Sequence, residues 1–437
     1  MTAISIVRAL AATARGIIEL SSNLKSLPSP LRLDQLLEAR EPLENTGPLR
    51  VEPLESPARL LTPRLLSSVQ RRLERHTVWT AAVDSSSRAL DTPLGSVIVS
   101  GAAASANTNP HLAEVPSLEG PSLPATPPFI VLLPNTGPGE AERLERLLPR
   151  GIVVLRNPAG IPYDRDYSLE QALDEARLRL ENWMLSGPLL EYVEAAVEAG
   201  VLPVVLVDGP LYPLVNALYS KSGVPESVSR AWESLLRSRL EAVRRLEDAG
   251  GLVVGVVKRL DRATIIFRAL EAWGGGSCLP GGARYGDGAA LLYYLERCAR
   301  WVPGSVYGSP RFRVAPKGLG VEAEKIVEYV VVPPGAHTPG PAGSRFYRLE
   351  YSYRTLERLN SLGLRGYMLL ALDSVARGSL EPVTVKTCDW RSKMLTRALR
   401  QVLASATARA GVPVSYETGL EVGVGWRGRR SGVSRAS

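Results

Sequence analysis

Two aspartates in this 437-residue sequence stand where the chain leaves an apolar run, Asp84 closing VWTAAVD and Asp208 closing VVLVD. An ionised carboxylate beside such a run is costly unless it is solvated, hydrogen-bonded or bound to a cation. Two of them at strand ends of one sheet can converge on the same edge. Each also has a local reading: Asp208-Gly209 is a common turn pair, and the DSSSR that begins at Asp84 suits a turn too. A third acid would favour chemistry. Glu181 shares a helix face with Asp174 and Arg177, either as an i,i+4 ion pair in solvent or as a carboxylate held beside the strand ends. Three carboxylates suit magnesium or manganese, which activate water and stabilise a displaced phosphate oxygen.

Other chemistries are disfavoured by what the sequence lacks. It has no G-x-x-x-x-G-K-[ST] phosphate loop and no G-x-S-x-G elbow, and its three histidines, His76, His111 and His337, fall at a helix end and in two loops. Cys278, Cys298 and Cys388 are odd in number and widely spaced, which predicts neither a disulfide framework nor a zinc cluster and favours a reducing, cytoplasmic setting. The net charge of +8 permits a polyanionic partner without specifying one. Few Asn, Gln, Met and Cys beside many Arg, Leu, Val and Pro give a thermophile-like composition. The amphipathic N-terminus lacks a signal-peptide core, and no stretch of 18 uncharged apolar residues predicts a membrane span.

The elements that would position the acids follow from periodicity. Residues 1–75 read as an added N-terminal helical segment with proline-marked connections. VWTAAVD and GSVIVSGAA read as strands of a long hairpin, with a loop over 105–128 and short strands at 128–133 and 151–155. A helix is expected from a Ser168 cap, with Gln171 completing a capping box, toward Ala199, with an interruption at Gly187-Pro188. The buried strand 201–209, a helix over 226–249 and the strand LVVGVVK come next. Further expectations are a helix near 288–300, strands IVEYVVV and RFYRLEY around a disordered-looking PPGAHTPGPAGS, and a last helix over 390–409. Alternation of helix and apolar strand predicts an α/β protein, a mixed sheet flanked by helices over residues 76–410, followed by a basic tail at 411–437.

The succession AAVDSSSR, ARLRLE, VVLVDGPL, GVVKR and GYMLLALDSVAR resembles the NurA family of archaeal and bacterial nucleases, over roughly residues 75–410. The resemblance implies an RNase H-like fold and manganese-dependent cleavage of DNA, as a single-strand endonuclease and 5′-to-3′ exonuclease. It also implies a homodimer that works with a HerA-type hexameric ATPase in DNA end resection, with Mg2+ as an alternative ion. Asp84 and Asp208 match the family's metal-binding acids, Glu181 its helix glutamate, and Glu175 and Glu191 are other registers for the latter. Lys258 would face the scissile phosphate or is an ordinary strand-end lysine. Tyr367 would orient a phosphate or water, or pack. Arg88 and Arg259 are candidate DNA contacts. Where the family has proline after that tyrosine and a histidine downstream, this chain has Met368 and, in about the histidine's place, Asp373, a possible replacement ligand. The rival expectation is a NurA-like adaptor that docks DNA or the translocase without cutting.

Overall fold

The computed structural model describes residues 49–409 and Gly16, apart from 56–58, 93–94, 118–125, 135–137, 148–151, 164–166, 214–225, 261–262, 264, 267, 270–285, 317–322, 335–339 and 342. The expected helices before residue 49, the centre of PPGAHTPGPAGS and the tail at 411–437 therefore lie outside the described residues. What is described is built on a 13-stranded sheet.

Two strands, β1 (Leu49–Pro53) and β2 (Thr62–Leu65), and helix α1 (Leu66–Leu73) precede the longest hairpin, β3 (Val78–Thr92) and β4 (Gly95–Ala106). Then come β5 (Ala113–Val115), β6 (Ile130–Pro134), α2 (Pro138–Leu147), β7 (Val153–Val154), α3 (Leu169–Ser186), α4 (Pro188–Glu198) and β8 (Leu202–Asp208). The chain continues through α5 (Glu226–Asp248), β9 (Leu252–Val257), α6 (Asp287–Arg297), β10 (Ser305–Gly308), β11 (Phe312–Pro316), β12 (Lys325–Val332) and β13 (Arg345–Tyr351). Helices α7 (Tyr353–Ser361), α8 (Gly366–Asp373) and α9 (Val383–Arg409) complete it.

The centre of the sheet runs β6-β4-β3-β8-β9. Among the first three, β4 is antiparallel to both of its neighbours, and β8 and β9 then add parallel to β3. This is the RNase H-like order, a mixed sheet flanked by helices. It explains why LPVVLVD and LVVGVV are almost wholly apolar: parallel strands covered on both faces have no solvent side to pattern. Alternate side chains divide between two cores. Ala81, Val83, Val205 and Val207 face α3 and α5, whereas Ala82, Val204 and Leu206 face α1, α8 and the start of α9.

Several expectations change. Asp84 does not end a strand: β3 runs eight residues further, because β4 pairs with it from Ala81↔Ala106 to Thr92↔Gly95. The turn preference of the serines is overridden by this ladder and by hydroxyl partners, Ser87 donating to the Leu173 carbonyl at 2.8 Å and Thr396 to Ser86 at 3.1 Å. Between residues 49 and 65 the chain forms strands rather than helices, with β1 paired to β11 and β2 to β10, so this segment is part of the sheet. The helix expected at 390 begins at Val383. Cys298 is disulfide-bonded, contrary to the reading of the cysteines, while Cys388 is a buried free thiol. No helix among the described residues is long and apolar enough to cross a membrane.

Candidate metal centre

The register of β3 and β8 ends at Val83↔Val207, so Asp84 and Asp208 are the next residues on two adjacent parallel strands. Equal parity sends both side chains to the face covered by α9. The strands part there. β8 stops because Gly209, at φ +112°, turns the chain away. That turn passes over β9 at Gly255, where a Cβ would lie 2.5 Å from the Leu211 nitrogen, so only glycine leaves room for it.

Helix α9 supplies the third acid. Its buried positions Thr384, Val385, Cys388, Ser392, Leu395, Thr396 and Leu399 recur at helical spacing. Cys388 contacts the Ala82 carbonyl at 3.1 Å, and Gly101 lets Leu395 approach β4. Asp389 thereby comes over the strand pair. One carboxylate oxygen from each of Asp84, Asp208 and Asp389 lies within 4.8 Å of the others. Ser392, one turn on, donates to Asp84 at 2.6 Å.

The group is short of positive charge. Burial, and then the charges of Asp208 and Glu181, push the Asp84 carboxyl up to about 7. Asp208 is also raised, by burial, although Lys258 lies 2.7 Å away and opposes the shift. Lys393 reaches Asp389 at 2.5 Å from one turn further along α9. Three converging carboxylate donors whose mutual repulsion favours a proton fit a hard divalent cation, which would replace that proton and screen the oxygens.

The other candidates are placed elsewhere. Glu181 belongs to α3, on the opposite face, where Ser85 points. Its oxygens accept from the Ser85 hydroxyl and from the buried Arg239 guanidinium, with Arg177 at 3.7 Å. It influences the site through charge across the strand and is not among the three clustered acids. Glu175 is bound by Tyr167 and Arg179, and Glu191 is exposed on α4.

Asp373 is not in the cluster either. It accepts from the Thr384 backbone N–H at 3.0 Å, the Thr384 hydroxyl at 2.5 Å and Arg377 at 2.9 Å, with Thr80 at 3.4 Å. It thus satisfies the open N-terminus of α9, the helix that carries Asp389. Tyr367 packs its ring on Gly308 and lines a cavity near α1. Lys258 stands beside Asp208, Arg259 follows it exposed, and Arg88 is half-buried within β3.

Sequence reasoning missed Asp389 because it began the helix at residue 390, and it missed Ser392, inside that helix, because a serine there carries no signal of its own. Pro382, next to the first helical residue, and the spacing of Val385, Cys388, Ser392 and Leu395 carry the signal that would have extended it.

Among known proteins, the crystal structure of the NurA nuclease from Sulfolobus solfataricus aligns with 76% of this chain and 85% of its own at 12% identity, with a TM-score of 0.38. No curated protein is matched. The model of the NurA domain family matches residues 79–331, a span that includes Asp84, Glu181, Asp208 and Lys258 and stops before Asp389. With more than half of its length covered by that match, the chain belongs to the NurA family.

Proposed function

We propose that this protein is a metal-dependent deoxyribonuclease that hydrolyses phosphodiester bonds at Asp84, Asp208 and Asp389. The observation that carries the reading is the convergence of these three acids from β3, β8 and α9. Family membership supports the reaction class.

A divalent ion held there, Mn2+ or Mg2+, supplies Lewis-acid polarisation of the scissile phosphate and lowers the pKa of an attacking water. The chain's own residues set up that chemistry. Asp84 and Asp208 are fixed by strand register, Ser392 orients the Asp84 carboxylate, and the half-buried Lys258 ammonium adds positive charge beside Asp208. The outer face of α9 presents Lys386, Lys393 and Arg397 around Trp390, which is 61% exposed. Cations interleaved with an exposed aromatic suit the phosphates and bases of a single strand.

Single-strand endonuclease and 5′-to-3′ exonuclease cutting, a homodimer and a HerA-type ATPase partner in DNA end resection and recombinational repair belong to the same reading. Their support is the family match and a sequence without its own phosphate loop. The test is cleavage of end-labelled and internally labelled single-stranded DNA with Mn2+, with and without a HerA-type ATPase. Wild type should cut, and Asp84→Asn and Asp389→Asn should not. Absence of cleavage by wild type under both conditions would leave the adaptor reading, and full activity in Asp389→Asn would remove that residue from the site.

A further inference from the structure

A second polar site lies around Tyr367. Strand β2, helix α1, the end of β10 and the start of α8 enclose a cavity of about 390 Å³. That volume falls within the roughly 300–1,000 Å³ usual for small-molecule sites. Thr62 and Arg64 reach it from alternate positions of β2, and Ser68 and Arg72 from i,i+4 positions of α1. Arg365 comes from the N-cap of α8 and Tyr367 from its first turn. We propose that this cavity binds a phosphate group, carried by a nucleic-acid strand or by a free nucleotide.

The charge is unbalanced in favour of an anion. Among the described lining residues three are arginines and one, Glu55, is acidic. Glu55 is already matched, by Arg365 at 2.6 Å and Arg311 at 2.6 Å. Arg64 and Arg72 remain exposed at the mouth, and Arg72 makes a bond of only 3.4 Å, to the Gly363 carbonyl. Two guanidinium forks with the hydroxyls of Ser68 and Thr62 are donors of the kind that bind phosphate oxygens.

The wall is also built to shape. Gly308 lies opposite Thr62 in the β2–β10 pair, and a Cβ there would be 2.7 Å from the Tyr367 ring. The missing side chain lets that buried ring close the wall of the cavity beside the arginines. Arg64, Arg72, Arg365 and Tyr367 lie outside the matched span 79–331, and of the lining residues only Gly308, Ser309 and Pro310 lie inside it.

The experiment is isothermal titration calorimetry in EDTA, which keeps the acid cluster metal-free and separates this proposal from the nuclease reading. The probes are inorganic phosphate, a deoxynucleoside monophosphate, and a short single-stranded oligonucleotide with either a 5′-phosphate or a 5′-hydroxyl. Wild type should bind at least one phosphate-bearing probe. The Arg64→Gln/Arg72→Gln variant should weaken that binding by about tenfold or more, and Ser68→Asp, which adds a negative charge on an exposed helix position, should abolish it. A control removing two exposed arginines that do not line the cavity, Arg297→Gln/Arg409→Gln, should stay within about twofold of wild type. Loss confined to the oligonucleotide identifies the strand as source, and loss extending to the monophosphate identifies the free nucleotide. The proposal is overturned if no probe binds wild type at millimolar concentration, if both cavity variants bind as wild type does, or if the control loses binding equally.

Discussion

One buried carboxylate of this sheet and the partly buried three-acid cluster are treated in opposite ways. The first, Glu350 on β13, meets Lys325 at 2.7 Å, Arg348 at 2.9 Å and the Leu211 backbone N–H at 3.0 Å. Despite complete burial, which alone would raise it, its carboxyl is held below the usual range by those two cations. In the other, Asp84, Asp208 and Asp389 face each other, with lysines at the margin of two of them and a hydroxyl on the third. There burial and like charge push Asp84 up to about 7. A matched acid is an internal tie. An unmatched cluster is one that could hold a cation. The same contrast separates Glu181, tied to Arg239, from Asp84 one strand-thickness away.

The contrast can be broken in steps. The largest expected effect is on catalysis. Asp389→Asn should lower DNA cleavage by more than about 100-fold, beyond the 10–100-fold typical of partners that only support a ligand, with the fold intact by circular dichroism. Next comes Glu350→Gln, which leaves Lys325 and Arg348 buried without their counter-charge. It should cost about 3–5 kcal/mol in chemical denaturation, with or without metal.

Asp84→Asn should do the reverse to stability. The folded-state pKa of Asp84 lies above the usual 3.8, so the folded protein holds a proton that the unfolded chain releases, and metal-free stability falls as pH rises from about 4 through about 7. Removing the charge should therefore stabilise the metal-free protein by on the order of 2 kcal/mol at pH 8 and by almost nothing at pH 4. In wild type, the apparent affinity for Mn2+ measured by calorimetry should rise with pH up to about 7, as the ion displaces that proton. A stabilising effect that is the same at both pH values would sink the account of unmatched charge.

The smallest effect belongs to Asp373→Asn, which weakens the anchoring of α9. A loss of about 1 kcal/mol should be accompanied by weaker Mn2+ binding and retained cleavage at saturating metal. Cleavage that no concentration of Mn2+ restores would instead make Asp373 a direct participant.

The sheet's centre was legible in the sequence because β8 and β9 are apolar runs that stand out whatever their partners, and because Ser168 with Gln171 marks the start of α3 locally. What was not legible depended on distant partners. Ser85–Arg88 look like a turn until β4 is laid beside them. Asp84 and Asp208 could be singled out, since each ends an apolar run, but the third acid had to come from a helix whose sequence position says nothing of where it docks. Glu181 satisfied the motif in residue type, and Asp373 stood in about the place of its histidine. Only the parity of β3, which sends Ser85 and Asp84 to opposite faces, and the hydrogen bonds of Thr384 show that each is engaged elsewhere.

The placement of α9 has a consequence for how the protein comes into being. Ser392 and Asp84 are 308 residues apart in the chain, yet they share a hydrogen bond, and Asp389 sits one turn from that contact. During synthesis β3 and β8 emerge long before the helix that completes the cluster, and closing so long a loop is paid for only when α9 packs on Ala82 and Gly101. The three-acid site therefore exists only in a finished molecule. A nascent or C-terminally clipped chain without α9 lacks Asp389 and the hydroxyl that holds Asp84.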